Sequence, residues 1–172
     1  GDCDKSKPYD RGIHVLRFAP DGSLFAGGLG GVRRWNVETG ESQPVLEAPF
    51  AGLDASRDGH LLLIWTGELV TTESFQLRQV RAQLMDLRDG TSRPIAGRGD
   101  FRGAALDASG RILVTAHADG SVSVGPVTGG EPQLLLGHGG PVAAVAVSPN
   151  GQWIASSSGT EIRLWPMPDV SK

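Results

Sequence analysis

The chain has 172 residues, enough for one domain with a substantial core, and its net charge of −3 gives no electrostatic argument for binding nucleic acid or an anionic membrane. Cys3 is the single cysteine, so no disulfide forms within the chain, and the longest apolar stretch is far too short to span a bilayer. Glycine is abundant, with 25 residues, and separates short apolar segments at regular intervals. This pattern predicts many short strands joined by tight turns.

Four apolar hairpins recur along the sequence, each with glycine at the second position of its turn. The turns are Asp21-Gly22, Asp58-Gly59, Ser109-Gly110 and Asn150-Gly151. Glycine supplies the positive φ that a tight hairpin requires. Successive turn glycines are 37, 51 and 41 residues apart (59−22, 110−59, 151−110).

A second landmark follows each hairpin. It is Trp35 in the first unit, Met85 in the second, Gly125 in the third and Trp165 in the fourth, with spacings of 50, 40 and 40 residues. The two landmarks agree on a repeat of about 40 residues, with about ten additional residues in the second unit.

This repeat resembles the WD40 family over nearly the whole chain, from about residue 13 to residue 168. The matching segments are Gly137-His138, "SPNG", "IASSS" and "IRLW" in the fourth unit, "APDG" and "RRWNVETG" in the first, and "ADGSVSV" in the third. The resemblance implies an all-β fold of WD40-like β-propeller blades, each a four-stranded antiparallel sheet. The four blades are expected at about 13–45, 46–95, 96–135 and 136–168.

In this family a blade is often tied together by hydrogen-bonded His, Ser or Thr, Asp and Trp side chains. The resemblance places His138, Ser157 and Trp165 in three of these positions, whereas Gly159 stands where the Asp would fall. His138 is a structural residue in this interpretation, and a functional ligand in the alternative.

The other units also lack members of this hydrogen-bonded set of side chains. In the third unit Asp119 holds the turn, but Gly125 replaces the Trp. We therefore expect stability to depend mainly on apolar packing between blades, with Trp35 and Trp165 as structural residues of the core.

The second unit admits two interpretations. Leu77, Val80, Leu84 and Leu87 have a 3–4–3 spacing that also fits an amphipathic helix. We favour an extended hairpin, with 61–70 paired to 75–87 and 71–74 at its tip, because 80–87 occupies the place of the third strand of a blade.

The sequence shows no metal-ligand spacing and no nucleophile elbow, so we expect no catalytic residue, metal or cofactor. It favours a non-catalytic protein–protein interaction scaffold of the WD40 type. The alternative is an enzyme propeller, a metal-dependent hydrolase or lyase with a site in the channel. For that site the inner strands offer Asp54 and Asp107 at most.

The candidate binding site for a protein or peptide lies on one face of the propeller. In an antiparallel four-stranded blade, the connections between blades and those between the second and third strands lie on the same face. There we expect the tip of the long hairpin and the residues His14, Trp65, Phe75, Asp100 and Arg102. Aromatic and arginine side chains are the preferred energetic centres of interfaces. In the alternative, Trp65 and Phe75 simply pack within the hairpin.

Blades of this family usually close into rings of about seven or eight, so four blades would leave an apolar face exposed at each end. We therefore expect a homodimer that forms an eight-bladed ring. A fragment of a longer propeller, a closed four-bladed monomer and another oligomer are the alternatives. The segment 1–10 is the candidate for the outer strand of the last blade.

The ending "LWPMPDVSK" resembles propeller ends in bacterial proteins that join WD40 repeats to a serine/threonine kinase or another signalling module. No signal peptide is visible, which favours a cytoplasmic location. A periplasmic or extracellular part of a larger protein is the alternative.

Overall fold

The computed structural model describes residues 12–19, 21–48, 51–71, 76–95 and 101–170, and within these ranges the chain forms strands and turns without a helix. The strands are β1 Ile13–Phe18, β2 Leu24–Gly28, β3 Gly31–Trp35, β4 Ser42–Leu46, β5 Ala51–Ala55, β6 Leu61–Thr71, β7 Gln76–Asp86, β8 Ser92–Ile95, β9 Gly103–Leu106, β10 Ile112–Ala116, β11 Val122–Pro126, β12 Gln133–Leu135, β13 Ala144–Val147, β14 Trp153–Ser158 and β15 Glu161–Pro166.

These strands form four antiparallel sheets, the blades of a propeller arrangement. Blade 1 has the order β1-β2-β3-β4, blade 2 β5-β6-β7-β8, blade 3 β9-β10-β11-β12, and blade 4 β13-β14-β15. The expected all-β blade architecture is confirmed. Blade 4 has three strands rather than four among the described residues, and the segment 1–10, the candidate for its outer strand, lies outside them.

The expected turn chemistry is present. Gly22, Gly59, Gly110 and Gly151 have φ values of 81°, 67°, 68° and 69°. These conformations are strained for residues with a Cβ, which is why each turn has a glycine.

Aspartates stabilise several of the turns directly. The carboxylate of Asp119 accepts hydrogen bonds from the Ser121 N–H at 2.9 Å and the Ser121 hydroxyl at 2.6 Å. Asp21 accepts the same pair of bonds from Ser23. In both cases these hydrogen bonds are the largest cause of a lowered pKa for the carboxyl group. Asp119, placed by the family resemblance among structural residues, thus serves the turn of its own blade.

The second unit contains the extended hairpin, and the helical interpretation is wrong. β6 and β7 pair continuously from Leu61↔Asp86 to Thr71↔Gln76, with two irregularities in register. The third-strand position of the blade must be filled for β8 to pair, and this tertiary requirement decides against the helical spacing. The expected tip at 71–74 lies mostly outside the described residues.

The core lies between the blades. Phe25 and Val32 of blade 1 pack with Leu53, Leu62 and Ile64 of blade 2. Leu63 and Leu84 on the other face of blade 2 pack with Leu106 and Leu113 of blade 3. Val114, Val122 and Val124 of blade 3 pack with Val142 and Ile154 of blade 4. Each of the three junctions is therefore an apolar layer formed by two facing sheets.

The inner strands β1, β5, β9 and β13 line a common cavity of about 530 Å³. A polar link joins three blades beside it. The Arg17 guanidinium donates to the Asp54 carboxylate at 3.0 Å, and the same carboxylate accepts the Leu106 N–H at 3.1 Å.

Trp35 is not part of any of the three junctions within the chain, which corrects its expected place in the core. It is half-buried and pairs with Leu24, which in turn pairs with Phe18. Directly paired residues share a face of a sheet, and this face points away from blade 2 because Phe25 and Val32 occupy the opposite one.

The turn of blade 3 leads to a first prediction. Asp107 is almost fully buried, and its carboxylate accepts four hydrogen bonds, from the N–H groups of Ser109, Arg111 and Ile112 and from the Ser109 hydroxyl. Burial opposes ionisation of Asp107, but these hydrogen bonds together exceed that effect and lower its pKa. We expect Asp107→Asn to destabilise the fold by about 1–3 kcal/mol, because the amide presents N–H to backbone donors.

The same shift predicts a pH dependence. A carboxyl group whose pKa is lowered by folding contributes stability that is complete above its unfolded pKa of about 3.9 and is lost as the pH falls through the folded value. Urea unfolding between about pH 2 and pH 5 should therefore show a shallower loss of stability for Asp107→Asn than for the wild type. Glu38→Gln, at an exposed position, is the control; an equal slope for Asp107→Asn and the wild type would contradict the prediction.

Candidate interaction surfaces

A network of hydrogen-bonded polar side chains holds blade 4 together. The Trp165 indole N–H donates to the Ser156 hydroxyl at 2.7 Å, and the Ser156 oxygen lies 2.7 Å from Nε2 of His138. Since the Ser156 oxygen accepts from Trp165, its own proton is available to Nε2. His138 Nδ1 then donates to the Glu161 carboxylate, 3.3 Å away. This is a structural role for His138, whose side chain is buried.

The hydroxyl in this network belongs to Ser156, which corrects the assignment of Ser157. Ser156 lies on the same face of the sheet as Ile154, toward blade 3, whereas Ser157 pairs with Ala144 and Ile162 on the opposite face. Because successive residues of a strand point to opposite faces, an error of one residue exchanges the two sides.

The acid that is missing from the family pattern is supplied from a different position. Glu161, two residues after Gly159, takes the place of the turn aspartate beside His138. Its carboxylate also accepts from Arg163 at 2.6 Å, and the Arg163 guanidinium lies over the Trp165 ring, 5.9 Å from the centroid. The hydrogen bond from Arg163 is the largest cause of the lowered pKa of Glu161, with a smaller contribution from His138.

Gly137, the first residue of the Gly-His pair, is explained by the same cluster. A Cβ at this position would lie 2.6 Å from an Arg163 nitrogen and 3.1 Å from the Trp165 ring. Glycine therefore allows the loop before blade 4 to contact the Arg163–Trp165 pair closely.

Blade 3 contains a second network, which the sequence patterns do not predict. The buried hydroxyls of Thr115 and Ser123 lie 2.9 and 3.0 Å from Nε2 of His117. Thr115 is at the position of Ser156, and His117 follows β10 in the same blade. The sequence signal for this network is the spacing of Thr115 and His117 at the end of β10, together with Ser123 on the neighbouring strand.

Only part of the predicted binding site lies within the described residues. His14 is exposed on β1, and Arg102 is half-buried directly before β9, where its N–H donates to the carbonyl oxygen of Ala116. Phe75 and Asp100 lie outside the described residues. His14 belongs to blade 1 and Arg102 borders blade 3, and blade 2 packs between these two blades.

Trp65 is not an exposed anchor, which corrects its place in the predicted site. It is only 9% exposed and packs in the junction between blades 2 and 3, with its ring centroid 6.3 Å from that of Phe101. Gly52, its partner on β5, leaves the space that the indole fills, since a Cβ there would lie 2.2 Å from the ring.

Metal-binding chemistry is not assembled in the described part of the chain. No group of three or more His, Cys, Asp and Glu side chains is positioned there to hold a metal ion. Asp54 is occupied by Arg17 and the Leu106 N–H, and Asp107 by its own turn. Over the same ranges, no helix is long and apolar enough to cross a bilayer.

The blade 4 network yields a prediction with a matched control. Ser156→Ala removes the group that links Trp165 and His138 and leaves a partly buried indole N–H without its acceptor, so it should cost about 1–3 kcal/mol. Ser157→Ala should change stability by about 0.5 kcal/mol or less. Urea unfolding followed by tryptophan fluorescence measures both; equal effects of the two substitutions would show that Ser156 does not hold this role.

Comparison with known families supports the architecture. Residues 130–166 match the family model described as WD domain, G-beta repeat. The search of curated proteins found no match. The matched segment spans β12, the outer strand of blade 3, together with the connection into blade 4 and the three strands of that blade, and it includes His138, Ser156 and Trp165. Blades 1 to 3 repeat the same antiparallel strand order. The chain thus carries a recognised WD40 repeat as the fourth blade of a four-blade β-propeller arrangement.

Proposed function

We propose that the protein is a non-catalytic interaction scaffold that binds a protein or peptide partner beside the extended hairpin of blade 2. WD40 propellers are typical protein-interaction scaffolds and are generally non-enzymatic. A rigid set of sheets with loops along its edges suits this function, since the sheets fix the positions of the loops.

The observation that carries the proposal is the two-stranded ribbon that extends from blade 2. Among the described residues, the pairing of β5 with β6 reaches Thr66 and the pairing of β8 with β7 reaches Ala82. Beyond these residues, 67–71 and 76–81 pair with each other and with no third strand among the described residues. A two-stranded ribbon gains stability from a third strand or a packed partner, so a partner that adds a strand to its edge gains backbone contacts.

A non-catalytic role is supported by the state of the two carboxylates that the enzyme alternative requires. Asp54 and Asp107 already accept several hydrogen bonds from the protein itself. A metal or substrate at either position would have to displace these donors.

We also propose that the chain associates with a second copy of itself into an eight-bladed ring. This association is independent of the ribbon, because it involves the blades at the two ends of the arrangement rather than blade 2.

The ribbon is tested with a peptide library displayed on phage and selected on the immobilised protein. We expect selected peptides to bind the wild type and to lose at least about tenfold in affinity for a variant in which 67–80 is replaced by a short Gly-Ser turn, since the interface is then removed. Arg57→Ala, at an exposed position on the opposite edge of blade 2, is the control. Circular dichroism establishes that the shortened variant is folded; equal binding to both proteins would refute the ribbon as the binding site.

The enzyme alternative is tested by elemental analysis of the purified protein. We expect calcium, zinc and manganese to be far below one equivalent per chain after gel filtration. A stoichiometric metal that Asp54→Asn or Asp107→Asn removes would favour a catalytic channel site instead.

A further inference from the structure

The two faces of a blade have different roles in a junction, as blades 3 and 4 illustrate. On the blade 3 side, the junction is formed by Val114, Ala116, Val122 and Val124. On the blade 4 side, it is formed by Val142, Val145, Val147, Ile154 and Trp165. We call the first kind of surface the leading face of a blade and the second kind the receiving face.

Blade 1 exposes its receiving face. The paired residues Phe18, Leu24 and Trp35 correspond in register to Val147, Ile154 and Trp165 of blade 4. Phe18 is 69% exposed, and Leu16, at the position of Val145, is 51% exposed. No described segment covers these side chains.

Blade 4 exposes its leading face. Ile162 and Leu164 correspond to Val122 and Val124 of blade 3, which are completely buried, yet they are 73% and 68% exposed. Ala155 and Ala144 lie on the same face, and Trp153 is exposed near its edge. This face carries alanine, serine and large apolar side chains and no charged group among the paired positions.

We propose that a second copy of the chain covers both faces. The leading face of blade 4 in one copy packs on the receiving face of blade 1 in the other, and the two-fold axis repeats the contact, which gives the eight-bladed ring two intermolecular junctions. This inference rests on the proposed self-association and names the surfaces that produce it.

The two exposed faces are of complementary kinds, one leading and one receiving, and this points to a second copy as the partner. A junction needs one leading and one receiving face, and the exposed faces are one of each. Two copies related by a two-fold axis therefore satisfy all four faces, and no unlike partner is required. Contiguous exposed apolar surface of this kind is uncommon on soluble monomers and marks interfaces.

The area is close to what a stable interface needs. Blade 4 offers three strands, and a face three strands wide and five residues long measures about 14 by 17 Å, or roughly 240 Å². Two junctions with two faces each therefore cover roughly 950 Å² of flat area, and the side chains that project from the pleat increase the surface removed from water toward the ~1,200 Å² of a stable interface.

The test is light scattering coupled to gel filtration of the whole 172-residue chain at micromolar concentration. We expect twice the chain mass of 18.0 kDa. Leu164→Glu on the leading face and Phe18→Glu on the receiving face should each raise the dissociation constant by roughly 100-fold or more, because each buries an unpaired charge in the junction. Both side chains are exposed within a single chain, so neither substitution should disturb the fold, which circular dichroism checks. Leu134→Glu, an exposed apolar position on the outer strand of blade 3, is the matched control and should remain dimeric.

Mixing the two variants separates this pairing from other dimers. Phe18→Glu retains an intact leading face and Leu164→Glu an intact receiving face, so an equimolar mixture should recover one junction and form a heterodimer that neither variant forms with itself. A dimer that only one substitution disrupts, or that neither does, would overturn the assignment of faces while self-association stands. A wild-type monomer would overturn both, and species that grow beyond two chains with concentration would show open head-to-tail contacts instead of the ring. Peptide binding at the ribbon is measured separately and is expected to survive both substitutions.

Discussion

Packing of one sheet against the next is the constraint on which the structure depends. A blade has two apolar faces, and in this arrangement only a neighbouring blade buries them. The effect is visible along β6, where Leu62 and Ile64 face blade 1 while Leu63 faces blade 3. Because both directions lead into a core, the strand reads as a continuous apolar run instead of alternating with polar residues. Strand positions that would contact solvent in a sheet with one buried face are here part of the core.

The side-chain hydrogen bonds within a blade differ from one blade to the next, whereas the apolar packing between blades is common to all of them. Blade 4 joins His138, Ser156 and Trp165 and takes its carboxylate from Glu161. Blade 3 satisfies its buried hydroxyls with His117 instead. In both blades the requirement is the same: a hydroxyl buried between sheets must have a hydrogen-bond partner. The side chain that meets this requirement differs between blades, since any group that reaches the site suffices.

The repeat is predictable from the sequence, whereas side-chain partners are less so. The turn glycines and the tryptophan landmarks fix the register well enough to place the hairpin of blade 2 and to favour it over a helix. In a run of three serines, however, only the pairing with β15 decides that Ser156 rather than Ser157 faces Trp165. The burial of Trp65 is equally hidden, because the indole fits only where Gly52 on the neighbouring strand makes room for it, and that pairing is a tertiary fact.

The same packing rule separates assembly from partner binding in chemical terms. The end faces of blades 1 and 4 have the apolar pattern of the junctions within the chain, with Phe18 and Leu24 on one face and Leu164 on the other. The edge with the turn between β14 and β15 is different, because there the strands end and Glu161, the first residue of β15, forms an ion pair with Arg163. The proposed self-association uses the end faces and the proposed partner site uses an edge of blade 2, so the two involve different parts of the blades.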